Sequence, residues 1–388
     1  MSSQATSRQD VVGVYEALTD GFERPLRVVD LVYEAAERFP GLVPTRAQIE
    51  AERELKQKDK AGLEIAQGDF IARVLAQPRC GDHLIESMSR PRVEAVAALE
   101  EFRHRGHVDL GPMRVDRGGR LGIVTIQNHE CLNAEDDYST QAMEIAIDLV
   151  LLDDSIEVGA LRGGPATHPK HAGRRIFGSG INLTHLYDGK ISLVEFMIER
   201  ELGPVSKMYR GHGAVADCAD ASEHRREKPW VAAVERFAIG GACQLLHVVD
   251  HVIATRGARL YLPARKEGII PGASNLRLPR FVGDRAARQA ILSGREWVAG
   301  EPDAAMLCDE VVAPEQVDGA LSDRIEALTS SGLVNAAANR SALRVGAEPL
   351  DLFRKYMSVY AREQAYCHLS PALVRNLEQH WNADRRRL

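Results

Sequence analysis

Beyond residue 120 the chain alternates two kinds of apolar pattern, and this constrains its fold more than any other feature. Runs rich in β-branched residues ("IEVGALRGG", "PWVAAVERFAI", "HVIATRGARLYLP") alternate with stretches whose apolar residues recur every three or four positions ("AEDDYSTQAMEIAIDLVLLDD", "KISLVEFMIERELGPVSKMYRG", "GGACQLLHVVD"). Strand–helix–strand alternation predicts βαβ units and an α/β core. Just ahead of it, Asp116-Arg117-Gly118-Gly119 lies between two β-branched runs, which signals a hairpin.

The segments on either side read as helices. Over residues 1–107, "VVGVYEALTDGF", "PLRVVDLVYEAAERF", "TRAQIEAERELKQKDKAGLEIAQGDFIARVLAQ" and "RPRVEAVAALEEFRHRG" place apolar residues at helical spacing between Pro and Gly stops. They hold no catalytic constellation, and the reading is a helical scaffold or lid. The last segment, 331–388, is helical again and offers an apolar face to the core or to a partner. The expected organisation is therefore an N-terminal helical domain (1–107), an α/β core (108–330) and a C-terminal helical segment (331–388).

Composition removes several classes of function. The net charge of the 388 residues is −6, so no global basic field points to nucleic acid. Cysteines 80, 131, 218, 243, 308 and 367 form no CxxC pair, which favours free thiols in a reducing compartment. The N-terminus lacks a signal-peptide pattern, and no apolar run approaches the roughly 20 residues of a membrane span. A soluble cytoplasmic protein is expected.

Two places leave the backbone bare. In "RRIFGSGINL" a strand-like end meets Gly178-Ser179-Gly180, and in "VERFAIGGACQ" a strand meets Gly240-Gly241 and then a helix. Glycine lets backbone N–H groups approach a ligand, and at a helix start those groups lack intrahelical partners. Two such points together can stabilise negative charge on a carbonyl oxygen. Either alone is more often a tight turn. "GSGINL" lacks the third glycine of a dinucleotide fingerprint, and no GxxxxGK[ST] phosphate loop occurs.

In order, "CLNAEDD", "IFGSGINL", "VAAVERFAIGGACQLLHVVDHVIA" and "LYLPARKEGIIPGASNLRLPRFVG" resemble the crotonase (enoyl-CoA hydratase/isomerase) superfamily. The resemblance covers roughly residues 108–330, and the likeness to a dioxygenase branch of the family is strong over residues 108–388 and reaches the N-terminal helices only in kind. The family resemblance implies a ββα-spiral core, an acyl-CoA substrate, an enolate held by the N–H groups of Ile181 and Gly241, and a trimer or dimer of trimers assembled by the C-terminal helices.

The chain departs from ordinary hydratases at both acid–base positions. One glutamate is replaced by Gln244, and the other by the alanine of Pro263-Ala264. An amide cannot move a proton at neutral pH, so hydration is disfavoured. These departures resemble the family's cofactor-independent dioxygenases acting on dihydroxyphenylacetyl-CoA, which use O2 with neither metal nor flavin. That likeness implies ring-hydroxyl contacts at Glu135 and Arg200, and contact of Gln244 with the oxygenated intermediate. Lys170, Arg174 and Arg175 are candidates for the CoA phosphates. His168 and His171 lack a third ligand for a metal, and Glu267 reads as a pairing partner of Arg265 or Lys266. The other readings are a different acyl-CoA reaction, such as thioester hydrolysis or isomerisation, and a non-catalytic acyl-CoA binder.

Overall fold

The computed structural model describes residues 10–213, 227–330 and 333–385. Six helices come first: α1 (Val11–Leu18), α2 (Val28–Arg38), α3 (Arg46–Arg53), α4 (Glu64–Ala76), α5 (Pro78–Ser89) and α6 (Val93–Arg105). The third sequence segment, read as one helix, is two. The buried Glu52 carboxylate accepts the N–H groups of Ala61, Gly62 and Leu63 at 2.6, 3.0 and 3.3 Å, and Gly62 turns the chain at φ +90° before α4 begins.

A seven-stranded sheet follows. Strands β1 (His107–Asp109), β2 (Met113–Gly118) and β3 (Leu121–Ile126) are antiparallel, and only Gly119-Arg120 separates β2 from β3, so the expected hairpin is present. Helix α7 (Asp137–Leu152) crosses over to β4 (Val158–Gly163), which pairs parallel to β3. Strand β5 (Trp230–Val234) adds to β4 in parallel, and β7 (His251–Thr255) and β10 (Glu310–Val312) complete the order β1-β2-β3-β4-β5-β7-β10. Strand β6 (Phe237–Ile239) leaves this sheet, and β7 returns to it. Strand β8 (Arg259–Tyr261) pairs with β6 and with β9 (Glu296–Val298) in a three-stranded sheet, and β10 closes the large sheet's edge. Strands β4, β5 and β7 are buried along their whole length, as parallel strands covered on both faces are.

Between β4 and β5 lie α8 (Leu183–Tyr187), two wide π-helical turns (Leu193–Ile198 and Glu201–Val205) and α9 (Ser206–Arg210). The sequence pattern predicts one regular α-helix here. Pro204 has no N–H to offer the Arg200 carbonyl four residues back, so the regular ladder cannot continue through it. Helices α10 (Gly241–Leu245), α11 (Ala264–Glu267), α12 (Ser274–Arg288), α13 (Val317–Thr329), α14 (Leu333–Ala347), α15 (Leu350–His368) and α16 (Pro371–Trp381) complete the chain.

Two large apolar clusters hold these elements together. One packs Phe102, Met113, Ile147, Leu161, Trp230, Leu260 and Trp297 across the sheet and its helices. The other joins α1, α2, α4 and α5 to residues 181–202 and to Phe353, Met357, Ala361 and Leu373 of α15 and α16. The N-terminal helices therefore share their apolar core with the C-terminal ones.

Candidate active site

The two bare segments run side by side. Gly178 and Ala238 form a parallel bridge, in which the Gly178 N–H donates to Phe237 O (3.3 Å) and the Ile239 N–H to Gly178 O (3.0 Å). A Cβ on Gly180 (φ +82°) would lie 2.8 Å from Ile239 O and 3.2 Å from Gly241 N, and one on Gly240 (φ +54°) would meet Gly180 Cα at 3.4 Å. Backbone therefore meets backbone, and no side chain fits between. Next along the chain, Glu135 bridges to Ile181. The bonds of that bridge are Glu135 N–H to Gly180 O and Asn182 N–H to Glu135 O, both 2.7 Å, which leave the Ile181 amide out. Gly241 opens α10, so its N–H has no acceptor within the helix.

Ile181 and Gly241 line one small cavity together with Glu135, Arg200, Glu201, Gln244, Glu267 and Tyr360. It encloses about 30 Å3, little more than the room one water needs. The five residues singled out from the sequence as catalytic or ring-binding thus converge on one place.

Arg200 is the hub. Its Nε and Nη2 donate to the Glu135 carboxylate, Nη1 to Glu201 Oε1 (2.7 Å) and Gln244 Oε1 (2.9 Å), and Nη2 also to Gly241 O (2.8 Å). These bonds use all five guanidinium N–H groups. Burial opposes the charge of Arg200, yet the Glu135 and Glu201 carboxylates outweigh it and raise the pKa, so the guanidinium stays charged. The second oxygen of Glu201 accepts the Ala273 N–H at 3.0 Å. From the sequence Glu201 is at most a salt-bridge partner of Arg200; its place in the cavity was missed because adjacent residues of an α-helix diverge by about 100°. The interruption at Pro204 was the available signal.

Glu267 does not pair with its neighbours. Arg265 and Lys266 are exposed, whereas the Glu267 side chain is buried against the cavity, and burial pushes its carboxyl up to about 8. All three lie on the single turn of α11, where successive residues point about 100° apart, so Glu267 faces inward while the two cations face solvent, and Gly268 (φ +81°) ends the helix. Cys243 is buried away from the cavity lining, its thiol raised to about 12.

A second, open depression adjoins the cavity, lined by Cys131, His168, Ser179, Ile181, Phe237, Tyr261, Glu267 and Trp381. Phe237 also borders a third depression, lined by Arg174, Arg175, Arg236, Arg256 and Arg259. Lys170 is exposed and lies outside that wall, and Arg175 donates to Gly163 O at 3.2 Å. Among the described residues no cluster of three His, Cys, Asp or Glu is arranged to hold a metal, and no helix is long and apolar enough to cross a membrane.

Over 354 residues, 91% of this chain and 80% of the other, the sequence is 47% identical to the (3,5-dihydroxyphenyl)acetyl-CoA 1,2-dioxygenase of Amycolatopsis orientalis. The chain belongs to the crotonase (enoyl-CoA hydratase/isomerase) family. The family model described as Enoyl-CoA hydratase/isomerase matches residues 221–361. Among solved structures, the crotonase fold is shared with an enoyl-CoA hydratase from Mycobacterium avium subsp. paratuberculosis (TM-score 0.56, 20% identity, 69% of this chain and 98% of that one). An enoyl-CoA hydratase from Bacillus halodurans matches similarly (TM-score 0.55, 19% identity, 69% and 100%). Those crotonases are covered almost entirely while about a third of this chain is left over, which agrees with added helical regions at the termini. The likeness to the dioxygenase is wider than the sequence motifs implied: a match of 91% cannot be confined to residues 108–388 and takes in much of the N-terminal helical region.

Proposed function

We propose that this chain is a metal- and cofactor-independent dioxygenase that converts 3,5-dihydroxyphenylacetyl-CoA and O2 to 3,5-dihydroxyphenylglyoxylate and free CoA. The observation that carries the reading is the cluster around Arg200. Where an ordinary hydratase has two acids, this cavity has an amide bound to a guanidinium that two carboxylates neutralise. It is set beside two backbone amides, and a relative of that activity is 47% identical over most of the chain.

An arylacetyl thioester has an acidic Cα–H, because ring and carbonyl both delocalise the carbanion. The Ile181 and Gly241 N–H groups receive the enolate oxygen; one such donor is worth on the order of 10²–10³ in rate. The enolate reduces O2 at Cα, the peroxide attacks the thioester carbon and expels CoA thiolate, and O–O cleavage leaves the α-keto acid. Both oxygen atoms enter the product. Because every N–H of Arg200 is already used, the ring hydroxyls donate to the carboxylates of Glu135 and Glu201. Two acceptors then serve two phenols, and Arg200 positions both. Gln244, held through its carbonyl oxygen, keeps its NH2 for the oxygenated intermediate. The thioester arm runs through the depression at Ser179 and Tyr261 to the arginine wall, where Arg174 and Arg175 meet the CoA phosphates.

Oxygen uptake with 3,5-dihydroxyphenylacetyl-CoA in the presence of a metal chelator tests the reading. The expected result is one CoA and one arylglyoxylate per O2 consumed. CoA release without O2 uptake would make the chain a thioester hydrolase, and substrate binding without turnover a binding protein.

A further inference from the structure

The enolate requires a proton acceptor, and the cavity offers few. Gln244 has none to give or take. Glu135 and Glu201 are engaged by the Arg200 guanidinium, whose N–H groups already occupy oxygens of both carboxylates. Burial raises the Tyr360 phenol well above its ordinary 10, and its O–H donates to Met197 O at 3.3 Å. Glu267 differs from all of these. Its carboxyl is buried at the end of α11, and among the described residues no charged or hydrogen-bonding group offsets that burial. Glu267 and Ile181 are the two residues that line both the inner cavity and the open depression. One of them offers the amide for the enolate oxygen, and the other is a carboxyl facing the same junction between a dry interior and solvent.

Resting on the dioxygenase reading above, we infer that Glu267 is the catalytic base, taking the Cα proton and relaying protons between the reacting carbon, the CoA sulfur and solvent. The first Cα–H bond breaks with its proton passing to the carboxylate and its electron pair to the enolate. O2 bonds to Cα, and the peroxide displaces CoA thiolate, which takes the proton back from Glu267 and leaves as the thiol. The second Cα proton goes to Glu267 as the O–O bond breaks, and then to solvent through the open depression. Cα loses four electrons and the two oxygen atoms gain them. The balance is arylacetyl-CoA plus O2 giving arylglyoxylate, CoA thiol and one proton.

The base can be tested apart from oxygenation. Without O2, the wild-type protein in D2O is expected to exchange the Cα hydrogens of 3,5-dihydroxyphenylacetyl-CoA, read by mass spectrometry. Glu267→Gln, which keeps the side chain's shape, should slow that exchange by about 10²–10⁴-fold, with partial recovery in Glu267→Asp. Binding of the thioester, read by calorimetry, should be retained in both variants. Exchange within about threefold of wild type in Glu267→Gln overturns the assignment and leaves the dioxygenase reading intact. Wild-type exchange that depends on Glu267 without any O2 uptake does the reverse. A wild-type protein that neither exchanges nor consumes O2 overturns both.

Discussion

Burial moves the Glu267 carboxyl from an ordinary 4.5 to about 8, so the folded protein holds a proton there that the unfolded chain releases. Stability is therefore undiminished below pH 4.5, falls as the pH rises from 4.5 to 8, and levels off above. Glu267→Gln removes this penalty. The variant should match wild type in thermal or denaturant unfolding at pH 4 and exceed it at pH 8, by up to roughly 4 kcal/mol. A gain in stability coupled to a loss of exchange would mark a group kept for chemistry at the fold's expense. Glu267 also shows how a sequence misleads. Its neighbours Arg265 and Lys266 looked like partners, and only the packing of α11 shows that they face solvent while Glu267 faces the cavity. Gln244 was legible because an amide stands where an acid is expected. Glu201 was not, because its position depends on how the helix is wound, which apolar spacing does not encode.

The strand–glycine–helix junction from β6 into α10 was legible as bare backbone, but what the glycines avoid was not. A Cβ on Gly241 would lie 2.7 Å from Glu135 Oε2, so the missing side chain makes room for a carboxylate as well as exposing an amide. Gly241 sits inside a helix at ordinary dihedrals, unlike Gly240 with its φ of +54°. Gly241→Ala should therefore keep the backbone conformation while displacing Glu135 from Arg200. Its kcat/KM for the thioester should drop by about 10–100-fold and its unfolding midpoint should fall, because a buried ion pair is disrupted, measured by steady-state kinetics and calorimetry. The π-helical turns around Arg200 are the second case. Apolar periodicity predicted a regular helix there, and the single proline was a weak notice of the wider winding that lets Arg200 and Glu201 reach one cavity.

At the scale of the molecule, periodicity predicts each terminal helix without saying what it packs against. The answer is α15, which lies along α4 and sends Tyr360 into the cavity. Elsewhere, buried ion pairs tie the N-terminal helices to the core, since Arg27 and Arg92 both bind Glu144 of α7 and Glu199. Although burial opposes its charge, Lys207, Arg27 and Arg92 together hold the Glu144 carboxyl well below the usual range. Helices α4 and α15 come close together at Gly68, where a Cβ would lie 2.6 Å from Ala365 Cβ and 2.8 Å from Ala361 O. Gly68→Val should destabilise the fold by about 1–3 kcal/mol in denaturant unfolding. It should also lower turnover, although Gly68 does not line the cavity, because it displaces the helix that carries Tyr360. The pairing of α4 with α15 has a further consequence during synthesis. Helices α4 and α5 leave the ribosome well before α15, residues 350–368, which packs against them. The apolar face they turn towards α15 therefore stays open until the C-terminal helices emerge, so surface made early is buried late.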